Sequence, residues 1–144
     1  MGKKRIVKKS GNIVDKGVRA RLLARVPKKK LAKGILNIEA TFNNTKVLLA
    51  DDKGNTVMWA TSGSLGFSGA KKSTPFAAAK VAELIGDKAV QIGVKEVDAV
   101  VRGIGAGRES ALRAFAAKGI AINSIKDETP IPFNGPRRPR PRRN

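Results

Sequence analysis

The 144-residue chain is 41% hydrophobic, enough for one compact domain, and carries a formal net charge of +19. It contains no cysteine and no histidine, which excludes disulfides, thiolate catalysis, histidine bases and most metal sites. No apolar run is long enough for a membrane-spanning helix, and the basic N-terminus lacks the apolar core of a secretory signal. For that N-terminus an organelle transit peptide is an alternative.

The positive charge is concentrated at the two ends of the chain. Thirteen basic residues against one acid give residues 1–33 a net charge of +12, twelve against eight give residues 34–126 +4, and five against two give residues 127–144 +3. We therefore predict a basic N-terminal arm, a globular domain and a C-terminal tail over these ranges. The arm and tail are expected to be disordered when free. Their expected partner is a polyanion, with nucleic acid favoured over an anionic membrane.

Within the arm, residues 18–26 are predicted to form a short helical turn. A run of charge follows at Lys28, Lys29 and Lys30, which we expect to contact RNA phosphates. A solvated tail that only aids solubility is the alternative.

Three strands are predicted next, over residues 34–42, 46–50 and 56–61, and they form an antiparallel meander. The first alternates apolar residues up to Phe42, which are expected on its buried face. Residues 51–55 are predicted to be a solvated hairpin turn, in which Gly54 supplies a positive φ.

Residues 62–74 form a Gly/Ser-rich loop that contains Lys71 and Lys72 but no acid. Small residues next to lysines suit contact with a phosphate backbone, although a flexible surface loop has the same composition. Ser73 or Thr74 is predicted to cap a helix over residues 75–92. The apolar stripe of this helix is predicted at Phe76, Ala79, Ala82, Ile85, Ala89 and Ile92.

A fourth strand over residues 94–101 precedes a glycine turn, which we define as residues 103–107. A helix over residues 108–118 and a fifth strand over residues 120–125 follow. Glycines let a ligand approach the backbone, and the N–H groups at a helix start attract anions. With Arg102 and Arg108 flanking it, the turn is a predicted phosphate site; a tight turn without a ligand is the alternative.

This element order predicts an α/β three-layer sandwich with a mixed five-stranded sheet, in which the last two strands are parallel. The glycine turn should lie at the carboxyl end of the fourth strand, where open α/β sheets bind ligands. The tail is rich in proline, which favours an extended chain whose arginines bind phosphates and stack on bases. A polyproline ligand of an aromatic-lined groove is the alternative for the tail.

Four segments of the sequence resemble the universal small-ribosomal-subunit protein eleven family, the platform protein. They read Ala-Thr-Phe-Asn-Asn-Thr at 40–45, Gly-Phe-Ser-Gly-Ala-Lys-Lys-Ser-Thr-Pro-Phe-Ala-Ala at 66–78, Gly-Ala-Gly-Arg-Glu-Ser-Ala-Leu-Arg-Ala at 105–114, and Thr-Pro-Ile-Pro-Phe-Asn-Gly at 129–135. The resemblance implies a ribonuclease-H-like fold without nuclease activity. It also implies binding to ribosomal RNA helices of the platform, near the Shine–Dalgarno cleft and the exit-site mRNA path.

The resemblance further implies small-subunit proteins seven and eighteen as neighbours, and no cofactor, metal or homo-oligomer is expected. We expect a bacterial cytoplasmic ribosome, with an organellar ribosome as the alternative. RNA contacts are carried over by position to the first turn, the loop, the glycine turn and the tail. These residues are Asn43, Asn44, Thr45, Lys71, Lys72, Ser73, Gly105, Gly107, Arg108, Arg113, Asn134, Gly135, Arg137, Arg138, Arg140, Arg142 and Arg143.

Two functions of other classes remain as alternatives. A nuclease on this type of sheet would need clustered carboxylates that hold Mg²⁺. A nucleotide-binding module could use the glycine turn, although the chain lacks a P-loop lysine beside it. The candidate carboxylates for a nuclease are Glu39, Asp51, Asp52, Asp98 and Glu109.

Overall fold

The computed structural model describes residues 16–142, so Arg143 and the first fifteen residues of the predicted arm lie outside it. Two short 3₁₀ turns, Gly63–Leu65 and Gly69–Ser73, occupy the predicted loop. The remaining elements of the described chain are α1 (Lys16–Ala24), β1 (Lys33–Ala40), β2 (Thr45–Ala50), β3 (Thr56–Thr61), α2 (Pro75–Ile92), β4 (Glu96–Gly103), α3 (Gly107–Ala116) and β5 (Ala121–Asp127).

The five strands form one mixed sheet in the order β3-β2-β1-β4-β5. Strands β1, β2 and β3 form the predicted antiparallel meander, with Gly54 at a φ of 84° in its second turn. Strand β4 pairs in parallel with both β1 and β5. The predicted α/β class and mixed sheet are therefore confirmed, and the carboxyl ends of β1, β4 and β5 lie at the same edge.

Helices α2 and α3 pack against each other and cover one face of the sheet. The core between the two layers is aliphatic, apart from the fully buried ring of Phe115. Among the described residues no helix covers the opposite face, where Trp59 is 59% exposed. The ribonuclease-H-like three-layer arrangement stays a prediction.

Two aromatic residues that were predicted to be buried are exposed. Phe42 is 71% exposed because β1 ends at Ala40 and the alternation of faces ends with it. Phe76 is 53% exposed, since the buried face of α2 begins at Ala77 and Ala78. Its ring packs edge-on against Phe67, with the ring centroids 6.1 Å apart.

Helix α2 begins and ends as its sequence predicts. The Thr74 hydroxyl accepts a hydrogen bond from the Ala77 N–H at 3.3 Å, and Pro75 occupies the first turn. Gly93 ends the helix with a φ of 93°. Gly86 does not interrupt the helix, and the side chain of Lys118, just after α3, packs where a Cβ of residue 86 would stand.

The second half of the predicted arm is packed on the domain. Leu22, Val26 and Leu31 are partly buried against the core. Arg19 of α1 forms an ion pair of 3.2 Å with Asp87 of α2. Residues 16–33 therefore have defined structure, because this half of the arm carries apolar side chains as well as charge.

The Asp51 carboxylate organises the β2–β3 hairpin. Residues 52–55 are exposed, as predicted for a solvated turn, but Asp51 itself is buried. Its side chain is 8% exposed and forms an ion pair of 2.6 Å with Lys29. It also accepts hydrogen bonds from the N–H groups of Lys53 and Asn55, at 3.1 and 2.9 Å. The Lys29 bond first, and then the Asn55 N–H, lower the pKa of Asp51 from 3.8 to about 2.

We predict that Asp51→Asn lowers the melting temperature at neutral pH, because the amide accepts fewer hydrogen bonds and cannot pair with Lys29. The folded-state pKa lies below the unfolded value, so the carboxylate stabilises the fold above about pH 4 and loses this effect as the pH falls towards 2. Thermal melts across this range should show the two proteins converging at low pH. Asp52→Asn, at the exposed neighbouring position, is the control; an equal effect of both variants at pH 7 would contradict the assignment.

Candidate nucleic-acid interface

Four loops of the chain meet at the edge of the sheet where β1, β4 and β5 end. The Gly105 N–H donates to the Ala40 carbonyl at 2.9 Å, which joins the glycine turn to the β1–β2 turn. The Ser62 N–H donates to the Thr45 carbonyl at 3.0 Å and brings in the loop after β3. We call this region, residues 41–45, 62–74, 103–107 and 127–129, the carboxyl edge.

The carboxyl edge collects three of the predicted RNA-binding segments, namely the first turn, the loop and the glycine turn. The basic run of the arm lies elsewhere: Lys29 reaches Asp51 at the opposite edge, and Lys28 and Lys30 flank it with exposed side chains. The predicted residues that meet at the carboxyl edge are Asn43, Asn44, Thr45, Lys71, Lys72, Ser73, Gly105 and Gly107, with Arg102 and Arg108 beside them.

The glycines of the turn are required by contacts within the chain itself. A Cβ on Gly103 would overlap the Ala40 carbonyl, and Gly103 also has a φ of 96°. A Cβ on Gly105 would overlap the Thr41 carbonyl. A Cβ on Gly107 would overlap the Thr45 hydroxyl and lie 2.7 Å from the Ala78 Cβ. The close approach predicted for a ligand is therefore made here by β1, β2 and α2.

The β1–β2 turn is held by a residue that the sequence analysis did not single out. The Thr41 hydroxyl accepts from the N–H of Asn44 at 3.1 Å and donates to its carbonyl at 3.2 Å. Asn43 is exposed beyond it, whereas Thr45 is fully buried. Of the first-turn motif, Asn43 thus presents its side chain to solvent and Thr45 packs beneath Gly107.

Both arginines that flank the glycine turn are engaged by the root of the tail. The Arg108 guanidinium donates to the Gly103 carbonyl, to the Asp127 carboxylate and to the Thr129 hydroxyl, the last at 3.2 Å. Arg102 pairs with Glu128 at 2.5 Å. We call these five side chains and the Gly103 carbonyl the tail clasp, since they fix where the tail leaves the domain.

The tail clasp changes the electrostatics of the predicted phosphate site. Hydrogen bonds from Thr129 and then from Arg108 lower the pKa of Asp127 to about 2. Bonds from Lys126 and Arg102 lower the pKa of Glu128 as well. In this structure Asp127 and Glu128 balance the charge of Arg108 and Arg102, and contact of the two arginines with an external anion stays a prediction. Helix α3 itself begins without a side-chain cap at Ala106.

The remaining predicted residues lie on the surface. Lys71 and Lys72 belong to the second 3₁₀ turn, in which the Ser73 hydroxyl donates to the Ala70 carbonyl at 3.1 Å. Arg113 is exposed and pairs with Glu109 one turn back along α3. Beyond the clasp the tail is exposed throughout its described length, including Asn134, Gly135, Arg137, Arg138, Arg140 and Arg142.

The carboxylates proposed for a nuclease do not assemble in the described residues. Glu39 pairs with Lys46, Asp98 with Lys33, and Glu109 with Arg113. No group of three or more Asp, Glu, His or Cys side chains suited to a metal ion occurs between residues 16 and 142. The structure therefore gives the nuclease alternative no support. None of the helices in this range is long and apolar enough to cross a membrane.

A family model described as ribosomal protein S11 matches residues 34–143 of the chain. The match begins in β1 and extends through the sheet, α2, α3 and the tail, well over half of the sequence. It includes every segment that forms the carboxyl edge.

We predict that Gly107→Ala destabilises the fold by about 1–3 kcal/mol, because the new methyl group overlaps the Thr45 hydroxyl and crowds Ala78. Urea denaturation measures the change. Gly63→Ala is the matched control, since a Cβ there meets no atom closer than 3.8 Å. Equal stability of the two variants would show that close packing is not what requires Gly107.

We also predict that Arg108→Gln raises the pKa of Asp127 from about 2 towards its reference value of 3.8, because a charged donor is lost. The folded-state pKa is the lower one, so the clasp stabilises the fold above about pH 4 and is lost as the pH falls towards 2. A carboxyl-carbon NMR titration reports this pKa directly. Arg113→Gln should leave it unchanged, and an unmoved pKa in Arg108→Gln would refute the clasp.

Proposed function

The chain belongs to the ribosomal protein S11 family, structural RNA-binding proteins of the small ribosomal subunit, and from this premise we propose that the carboxyl edge and the tail form one continuous surface for ribosomal RNA. On this proposal the domain binds helices of the platform, beside the Shine–Dalgarno cleft and the exit-site mRNA path. The observation that carries it is the convergence of three loops and the tail root at one edge of the sheet.

The carboxyl edge is both rigid and cationic. Its loops are joined by backbone hydrogen bonds of 2.9–3.0 Å, so their donors keep fixed positions when RNA approaches. Lys71, Lys72 and Asn43 project from this framework, and the uncapped start of α3 adds a partial positive charge. Contacts of this kind position a protein on a phosphate backbone without reading sequence.

The tail beyond the clasp presents apolar and basic side chains to solvent. Ile131 and Phe133 are exposed there, the latter completely, and apolar side chains on an extended segment are buried only when a partner covers them. The arginines that follow have no acidic partner among the described residues. We propose that the tail threads between RNA helices, where arginine binds phosphates and Phe133 stacks on a base.

Several of the predicted residues make contacts within the chain, and we propose other roles for them. Arg102 and Arg108 act mainly as positioning residues, because the tail clasp uses their charge. Thr45, Gly105 and Gly107 support the surface from beneath, and Lys28 and Lys30 offer a second contact at the opposite edge. Arg113 is proposed to reach a phosphate at the rim, beyond its pair with Glu109.

Membership of the family locates the protein on a ribosome, of the cytoplasm or of an organelle. We propose the bacterial cytoplasm, and small-subunit proteins seven and eighteen as neighbours. Co-sedimentation of the tagged chain with the small subunit, followed by cross-linking, tests these assignments; cross-links to other proteins alone would contradict the proposed neighbours.

We predict that replacing Arg137, Arg138, Arg140 and Arg142 by alanine weakens binding to a platform RNA fragment and flattens its salt dependence. Each phosphate contact contributes about 0.7–0.9 to the slope of log affinity against log salt, so four contacts account for roughly 3 units. Filter binding at several salt concentrations measures the slope. The matched variant with four lysines should keep the slope while losing affinity. An unchanged slope in the alanine variant would remove the tail from the interface.

A further inference from the structure

Helix α2 contains a buried lysine that has no counter-ion among the described residues. Lys88 is 5% exposed, and within residues 16–142 it makes no hydrogen bond or ion pair. The neighbouring carboxylate, Asp87, is taken by Arg19 at 3.2 Å and Lys118 at 2.7 Å. The ammonium nitrogen keeps some contact with solvent, whereas the stem of the side chain is buried. A cation that is partly desolvated and has no counter-ion is stabilised by an anionic ligand.

Lys88 lines a cleft of about 280 Å³ between the end of α1, helix α2 and strand β3. Arg25 lines the same cleft, and no carboxylate does. Burial first, and then the nearby charge of Arg25, lower the pKa of Lys88. Two neighbouring cations that line one cleft attract an anion, because an anion between them would relieve both the desolvation of Lys88 and the repulsion between the two charges.

The rest of the cleft indicates what the anion is attached to. Leu22, Val57 and Met58 supply an apolar wall, and Trp59 lies at the exposed side with 59% of its surface accessible. Bases of every kind stack on an exposed indole face, and arginine and lysine bind phosphate. The cleft is small for a whole drug-sized ligand, so the phosphate occupies it and the base lies on Trp59.

We propose that this cleft binds a single nucleotide, with its phosphate between Lys88 and Arg25 and its base stacked on Trp59. The nucleotide can belong to an unpaired stretch of RNA or be a free mononucleotide, and the first source rests on the proposed function. The cleft lies beside β3, at the opposite end of the sheet from β5, and Ser64 of the carboxyl edge borders it. It therefore adds a contact next to those of the loops and tail.

Trp59 is the single tryptophan of the chain, so a ligand that stacks on it quenches the indole fluorescence of the protein. The full-length protein is titrated with adenosine monophosphate, a single-stranded RNA hexamer, inorganic phosphate and hexaglutamate. We expect the nucleotide ligands to quench Trp59 and inorganic phosphate to compete with them. Lys88→Met should weaken this binding roughly ten- to a hundredfold, the loss of one charge-assisted hydrogen bond. The same variant should melt at a higher temperature, because a buried charge is removed.

Lys95→Met, which changes an exposed lysine, is the matched control and should bind as the unmodified chain does. Quenching by the monophosphate and the hexamer supports a mononucleotide site, and quenching by the hexamer alone supports an unpaired RNA nucleotide. Quenching by hexaglutamate alone, or equal binding by Lys88→Met, overturns the proposal. If platform RNA still binds but Trp59 is not quenched, the cleft is not a nucleotide site and the proposed function stands. If the protein binds no RNA at all, the proposed function is wrong.

Discussion

The structure depends on the close backbone contact between the glycine turn and the turn that joins β1 to β2. Side chains at Gly103, Gly105 or Gly107 would occupy space held by Ala40, Thr41 or Thr45. Because these two turns touch, the carboxyl ends of β1 and β4 are fixed relative to each other, and α3 begins directly over β2. The loop after β3 and the root of the tail are then held at the same edge. Glycine is needed for this packing before any ligand is considered.

A second regularity is the placement of the few acids. Asp127 and Glu128 lie where the tail leaves the domain, and Asp51 lies where the arm crosses the β2–β3 hairpin. Each of these acids neutralises a cation where a basic segment meets the domain and fixes the direction of that segment. The arginines further along the tail have no such partner in the described part of the chain, so their charge remains available to RNA. The net charge of +19 is thus divided between cations that build the fold and cations that remain available. Lys88 belongs to neither group, because it is buried and has no acidic partner among the described residues.

Local patterns in the sequence predicted much of this fold. Thr74, Pro75 and Gly93 mark the ends of α2, and the alternation of apolar residues locates the strands of the meander. The pattern failed at the ends of elements. Phe42 fits the alternation of β1 but lies beyond the end of that strand, and Phe76 fits the apolar stripe of α2 but lies in its exposed first turn. Contacts between distant residues could not be predicted either. The pairs of Arg108 with Asp127 and of Lys29 with Asp51 join segments 19 and 22 residues apart, and no periodicity encodes them.

The buried position of Lys88 could have been predicted from its spacing in α2. It follows Leu84 by four residues and Ile85 by three, which places it on the buried face of α2. A lysine at such a position requires a partner or a ligand. The sequence analysis concentrated on the charges at the two ends and so did not consider a cation within the domain.

The central claim is that RNA lies against the carboxyl edge, and directed hydroxyl-radical cleavage tests it most directly. The chain has no cysteine, so one introduced thiol carries the iron probe at a known place. Ser73→Cys and Ala106→Cys place the probe at the carboxyl edge. Ala121→Cys places it at the exposed start of β5, on the opposite edge of the sheet and at the far end of the sheet from the Lys88 cleft. In assembled small subunits we predict strong cleavage of ribosomal RNA from the first two positions and weak cleavage from the third. Strong cleavage from Ala121→Cys alone would contradict the account.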